Sequence, residues 1–452
     1  MKKLLALLLA VMMVFSLAAC SSGETAKAPD EEKAPAEAAA PAEKESEAAS
    51  DEEVVLEVWL QGNNVGDPTL PEEEWWITQA IDAFEEANPN IKVELTVPSG
   101  QVELIQTYKA ACVAGTAPDI VNLWSGTNMF PLKDLVIDPT EYLSEDSENV
   151  SCWNECYMNF DTNDKLLGIP LAEPGINVCT FYYNKNIFNE VGIDLNANPI
   201  KNVDDFEAIL EKLAAAGYQP ISCDDEGYGV AFCCFGIWWA NAVGSARMYS
   251  DSTAETTFAD DEAFVGVLSK ANEWYNKGYI NQDYATCTES LSRFLQGECA
   301  IFGAGTWYMQ DMANGLGAEN VGLLPLGAWS DNDQYSYASM GGNGQIMCIS
   351  QSSEHPAEAV KLIEFLNSKE QVEKAQEQHL ILPGRSDVSY PVSGGLFDEI
   401  SEASANSVFY YDNTMRADII TEFYHQWPLV VTGVTSVSDA VASLDSLAAS
   451  GG

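Results

Sequence analysis

Eleven cysteines, eleven tryptophans and a large excess of carboxylates are the residues of this 452-residue chain that could do chemistry. The 69 Asp and Glu against 21 Lys and Arg leave a net charge of -48. Acids are so abundant that choosing two as the pair of a glycoside hydrolase discriminates nothing. There is no His-Glu-x-x-His, no Gly-x-Ser-x-Gly and no Gly-Lys-Ser/Thr. Zinc-protease, hydrolase-elbow and nucleotide sites of recognisable form are thereby excluded. His355, His379 and His425 are the only histidines, and none stands at ligand spacing from a cysteine, so no metal is expected. Asp331 and Asp333 hint at calcium, but Ser336 and Gly342 stand where an EF-hand loop needs Gly and Glu. No enzyme and no cofactor is called for, with an exported carbohydrate-active enzyme such as a glycosidase, or a surface adhesin, as the alternatives.

The cysteine spacings argue for thiols rather than bridges. Cys348 continues the strand-like run of Ile346 and Met347, Cys299 shares a face with Ile301, and Cys112 follows Tyr108 on a helical stripe. Each behaves as a small core hydrophobe. Cys152 and Cys156 are badly placed for a disulfide if helical, and a bridge between neighbours Cys233 and Cys234 would be strained. Reduced thiols outside a cell imply an anoxic habitat.

Cys20 is different. Lys2 and Lys3 precede an apolar run from Leu4 to Phe15, and Leu17, Ala18 and Ala19 lead into Cys20. A charged start, an apolar stretch well short of the roughly 20 residues of a membrane span, and small residues before a cleavage point form a secretion signal. The Leu-Ala-Ala-Cys ending resembles a bacterial lipobox, in which the cysteine is diacylated and opens the mature chain. The expected location is the outer face of the cell membrane of a single-membrane bacterium. Residues 1–20 are read as signal and 21–53 as an acidic, disordered tether, because Ala, Glu and Pro without aromatics cannot bury a core.

The body begins at Val54 and spans about 400 residues, enough for two domains. Its acidity repels nucleic acid and anionic headgroups, and leaves a neutral ligand free to approach. The elements alternate. Val54 to Leu60 reads as a strand, and Trp75 to Ala87 as a helix with Ile77, Ile81 and Phe84 on one face. Ile91, Val93, Leu95 and Val97 form a second strand, Leu104, Tyr108 and Cys112 mark a second helix, and Ile120 to Trp124 a third strand. Asn202, Asp260 and Pro356 each open a further helix. This order is that of an α/β protein with an open parallel or mixed sheet.

A series of segments in fixed order carries a resemblance across the body. They are Val58-Trp59; Phe84-Glu85-Glu86 with Asn88-Pro89; Ala114-Gly115-Thr116-Ala117-Pro118-Asp119-Ile120-Val121; Gly168-Ile169-Pro170-Leu171; Tyr182-Tyr183-Asn184-Lys185; Gly303-Ala304-Gly305-Thr306-Trp307; Gly341-Gly342; and Leu382-Pro383-Gly384-Arg385. The chain resembles the extracellular solute-binding proteins of carbohydrate uptake, the class that includes maltose-binding protein. The resemblance implies a type II periplasmic-binding-protein fold of two α/β lobes with a ligand cleft between them. It places residues 54–172 and 298–341 in the first lobe, and 173–297 and 342–452 in the second. It implies a monomer that binds a sugar or oligosaccharide, closes on it, and delivers it unchanged to the permease of an ABC transporter.

A sugar has hydroxyls at its rim and weakly apolar faces, so its receptor needs polar groups at the edge and flat aromatic rings beneath. Trp307, after the Gly303–Gly305 turn, is expected to stack on the sugar from the first lobe. Trp124, Trp238 and Trp239 are further aromatic candidates. Gln61 and Asn63 after the first strand, Glu173 at the proposed crossing, Gly342, and Arg385 after the Leu-Pro-Gly turn complete the set. Arg385 could equally form an interlobe salt bridge.

Overall fold

The computed structural model describes residues 53–451, apart from 63–64, 67–69, 99–100, 158–164, 173–174, 225–229, 330–337, 379–381 and 390–393. Cys20, the signal, almost all of the tether, Asn63, Glu173, Asp331, Asp333 and His379 therefore lie outside the described residues. No described helix is long and apolar enough to cross a membrane.

Strands form in the order β1 Val54–Trp59, β2 Ile91–Thr96, β3 Ile120–Trp124, β4 Ile169–Pro170, β5 Asn177–Asn184, β6 Gln219–Ser222, β7 Cys299–Gly305, β8 Val321–Leu323, β9 Ser339–Gly342, β10 Gln345–Ile349 and β11 Ser407–Val408. They make two sheets. The first has the order β2-β1-β3-β10-β4, parallel among β1, β2 and β3 and antiparallel where β10 meets β3 and β4. The second has the order β11-β9-β5-β7-β6, with β8 also paired to β5.

Local pattern explains the early elements. In β1, Val54, Leu56 and Val58 are buried while Val55 and Glu57 are exposed, the alternation of a sheet with one face packed. Helix Trp76–Ala87 buries Trp76, Ile77, Ala80, Ile81 and Phe84 at helical spacing. Asn202 caps helix Val203–Ala215 by accepting from the amides of Asp204 and Asp205. The cap of the helix Glu262–Asn276 is Asp261, one residue later than expected, because Asp260 closes a preceding 3-10 turn capped by Thr257.

Each sheet is covered on both faces, and the two sheets have separate apolar cores. Around the first, Leu56, Ile77, Phe84 and Ile363 fill one face, and Leu104, Tyr108, Val121 and Ile346 the other. Around the second, Phe181, Phe206, Trp238, Trp274 and Ile301 fill one face, and Tyr182, Phe302, Met309 and Leu396 the other. Neighbouring residues of one strand, such as Phe181 and Tyr182, enter opposite cores as the pleat requires.

The chain leaves the first sheet after β4 and enters the second at β5, returns between β9 and β10, and crosses again between β10 and β11, around Leu382 and Gly384. This pairing reverses the expected return. β7 pairs antiparallel with β5 and parallel with β6, so 298–341 belongs with the second sheet. β10 pairs with β3 and β4, and the helix Pro356–Leu366 packs on the first sheet, so the stretch after 342 begins in the first body rather than the second. The apolar run of β7 fits either sheet, and only the partners available across the crossing decide between them.

Candidate functional site

Strand direction determines which strand ends meet at the crossings. β3 ends at Trp124, directly opposite Gln345, the first residue of β10 after the crossing. β1 runs parallel to β3 and therefore ends on the same side, at Trp59 to Gln61. In the second sheet β5 starts at Asn177, just past the first crossing, and Asn177 lies opposite Gly342 at the end of β9. Cys179 lies opposite Gly305, so β7 ends there too, with Trp307 immediately beyond. Gln61, Trp124, Gly342 and Trp307 are thus brought to one junction, where an open α/β architecture places its ligands.

Trp307 is 39% exposed and is the only exposed tryptophan among the described residues. A Cβ on Gly305 would fall 2.0 Å from its ring, so the ring lies flat on that glycine. The turn beneath is held by Thr306, whose Oγ1 donates to Asn177 Oδ1 at 3.0 Å and accepts from the Val178 amide at 3.1 Å. A ring supported on one side and open on the other is suited to stacking. It projects from the second body, not the first, because β7 lies in the second sheet.

Gln61 is only 3% exposed. Its Nε2 donates to the Asn122 carbonyl at 3.3 Å, and Oε1 is shielded with no partner among the described residues. Trp124 is half-buried at the end of its strand. Gly342, with φ 137, holds a backbone conformation that favours glycine as β9 turns into the crossing.

Three expected site residues are placed elsewhere or otherwise engaged. Trp238 and Trp239 are fully buried in the second core; Trp238 packs on Phe206 and Trp274, and the Trp239 Nε1 donates to Asp261 Oδ2 at 2.7 Å. Their helix carries apolar residues on the face that meets the core, so the paired tryptophans fill it. The Arg385 side chain is 1% exposed. It donates to both oxygens of Asp146, both of Asp387 and the Asn367 carbonyl, at 2.8 to 3.0 Å. All five of its donors are used, so it ties the third crossing to the first body and offers nothing to a ligand. Its guanidinium holds the Asp146 and Asp387 carboxyls below their usual range.

The junction also contains residues that no local pattern singled out. The short helix Tyr411–Thr414 sits on Gly126–Leu132, the segment that leaves β3. Thr127 Oγ1 donates to the Asn413 carbonyl at 3.2 Å, and Asn128 Nδ2 to the Asp412 carbonyl at 3.2 Å. Asn413 Nδ2 donates to Ser125 Oγ at 3.1 Å and to the Gly344 carbonyl at 3.2 Å. Gly126, with φ 68, permits this approach: a Cβ there would lie 2.0 Å from the Asn413 carbonyl oxygen. Asn343 Nδ2 adds a bond to the Leu171 carbonyl at 2.6 Å, joining two crossings. The junction is a polar network of side-chain amides and hydroxyls rather than a continuous apolar core. Four described cysteines away from it, Cys112, Cys287, Cys299 and Cys348, are free thiols, and burial pushes Cys299 up to about 12.

Comparison with known proteins agrees with this architecture. Residues 79–393 match the bacterial extracellular solute-binding protein family. An uncharacterized ABC transporter extracellular-binding protein of Pyrococcus horikoshii is 28% identical over 248 residues, 52% of this chain and 54% of that protein, so the match spans about half the length of the relative. A chitin oligosaccharide binding protein superposes with a TM-score of 0.74 at 19% identity, covering 88% of this chain and 99% of that one. The solute-binding protein RafE in complex with raffinose gives 0.66 at 18% identity, covering 87% and 98%. The sugar-binding protein MalE of Xanthomonas citri gives 0.67 at 17% identity, covering 88% and 98%. With two separately cored α/β bodies, strand ends meeting at their crossings, and a family match over most of its length, this chain belongs to the bacterial extracellular solute-binding proteins.

Proposed function

We propose that this protein is the substrate-binding component of an ABC importer, that it takes an oligosaccharide at the junction between its two bodies, and that it hands the sugar to a permease without changing it. The observation that carries the reading is Trp307, a ring supported by Gly305 and open to solvent at the same junction as Gln61 and Trp124. Side-chain amides beside a partly exposed aromatic ring suit a neutral ligand with many hydroxyls. The names of the structural neighbours, which include binders of chitin oligosaccharide and raffinose, support the same class. The three crossings are the hinge, and closure around ligand presents the permease with a distinct form.

A thermal-shift screen of the purified chain against mono- and oligosaccharides tests this, because a ligand that binds only the folded form raises the melting temperature by mass action. No shift with any sugar defeats the reading, and turnover of a sugar replaces it with an enzyme. Anchoring through acylated Cys20 is part of the proposal, since more than one acyl chain makes membrane attachment stable. Cys20→Ala is expected to move the folded protein from the membrane fraction to the soluble fraction, and a variant still firmly membrane-bound would refute the anchor.

A further inference from the structure

One carboxylate at the junction has an oxygen that is shielded from solvent and has no side-chain donor among the described residues. Asp412 lies in the short helix Tyr411–Thr414 that the second body lays against Gly126–Leu132 of the first. Its Oδ2 accepts from the Tyr424 hydroxyl at 3.2 Å. Its Oδ1 is shielded from solvent and accepts from no side chain among the described residues, while the backbone amides of Asp412 and Asn413 also favour the charged carboxylate. Leaving such an oxygen unsatisfied costs more than a lost neutral hydrogen bond, because the group is charged.

No cation among the described residues pairs with it. The segment Gly126–Leu132 contributes Asn128 and no ionisable side chain. Helix Ile237–Ser252, which also packs on this short helix, carries Arg247 and Asp251, already joined at 2.7 Å. Arg416 is committed to Asp418 at 2.6 Å. On helix Ala417–Val431, Glu422 accepts from Gln426 and Ser443, and His425 is exposed. A calcium ion would need several oxygen ligands, and no group of three acids is gathered among the described residues. The Tyr410 ring stands 3.9 Å from where a Cβ on Gly344 would sit, at the crossing itself.

We propose that Asp412 is a ligand-contact residue, its Oδ1 accepting a hydrogen bond from a hydroxyl of the bound sugar. The inference rests on the oligosaccharide reading above. A hydroxyl bonded to a carboxylate is stronger than one bonded to a neutral acceptor, so one such contact discriminates between sugars that present a hydroxyl there and those that do not. In the free protein, burial pushes the Asp412 carboxyl up to about 6. The hydroxyl donates to the ionised form, so binding holds the proton off, and the contact is complete above that value and lost as pH falls through it. The same burial makes the ionised group a liability to the free protein at neutral pH, a cost of the kind found at binding sites.

The test is calorimetric titration of the full chain with raffinose, xylo-oligosaccharides and chitin oligosaccharides, at pH 7.5 and pH 5, together with melting temperatures of the ligand-free protein. For a sugar that binds, the wild type is expected to bind about tenfold more weakly at pH 5 than at pH 7.5. Asp412→Asn, which keeps the shape and removes the charge, should bind about ten- to a hundredfold more weakly at pH 7.5, show little change with pH, and melt no lower than the wild type. Tyr424→Phe, which removes the side-chain donor to the carboxylate, should move the affinity loss to higher pH and keep the binding at pH 7.5 within a few fold. Asp412→Asn with wild-type affinity overturns the contact while leaving the oligosaccharide reading intact. A variant that melts lower and keeps the wild-type pH profile assigns Asp412 a purely structural role. Failure of every sugar to bind the wild type removes the oligosaccharide reading, and the contact with it.

Discussion

Trp307 and the tryptophan cluster of the second core use the same side chain in opposite ways. Trp238 packs its ring against Phe206 at 5.1 Å and Trp274 at 5.6 Å, and Trp427 meets Phe232 at 4.9 Å; these rings are enclosed on every side. Trp307 lies over Gly305, with Tyr308 at 6.2 Å, and is 39% exposed. The difference is one of placement. Trp238 lies on a helix against the sheet face, where apolar area stabilises the fold. Trp307 lies past a strand end, where that area remains available to a ligand. An aromatic residue therefore declares its role by what lies beyond its ring.

Mutation separates the two roles. Trp238→Ala removes a ring from a packed core, so the denaturant midpoint is expected to report a loss of about 3–5 kcal/mol of stability. A stable Trp238→Ala protein would break the contrast. Arg385→Met is next, at about 2–3 kcal/mol near neutral pH, since it leaves the Asn367 carbonyl and two carboxylates without their donor. Arg385 holds both carboxyls below their ordinary range, so its contribution is present above the ordinary carboxylate value of about 4 and is lost as pH falls through the depressed ones. Stability curves of wild type and Arg385→Met should accordingly converge below about pH 4. A gap that stays constant into acid would assign the arginine's effect to packing alone. Trp307→Ala closes the series: stability should change by less than about 1 kcal/mol, and sugar affinity should fall about ten- to a hundredfold, or about 1.5–3 kcal/mol. Unchanged affinity with a large loss of stability would move Trp307 to the same class as Trp238.

The fold's early elements were legible because each is written in a local period. β1 buries every second residue, helix Trp76–Ala87 buries residues three and four apart, and Asn202 caps its helix with its own side chain. The placement of Trp307 after a glycine turn was legible for a similar reason, since Gly303, Ala304 and Gly305 precede it directly in sequence. Trp238 and Trp239 were misleading because a Trp-Trp pair has the same composition in a core as in a cleft. Arg385 was ambiguous for want of its partners: Asp146 is 239 residues away along the chain.

What the sequence alone determined about this protein is the α/β alternation and the ordered segments shared with solute-binding proteins. These follow from side-chain period, capping and composition, all of which act over a few residues. Tertiary structure alone decided that β7 joins the second sheet and β10 the first, and that Trp307 projects from the second body. It also brought Asn128 against the Asp412 carbonyl across 284 residues of chain. The physical reason is that a strand's own pattern states which face it buries but not which edge it pairs with. The choice of edge is made by the competing strands and the crossings, where the cost of an unpaired polar group is settled between residues far apart in sequence.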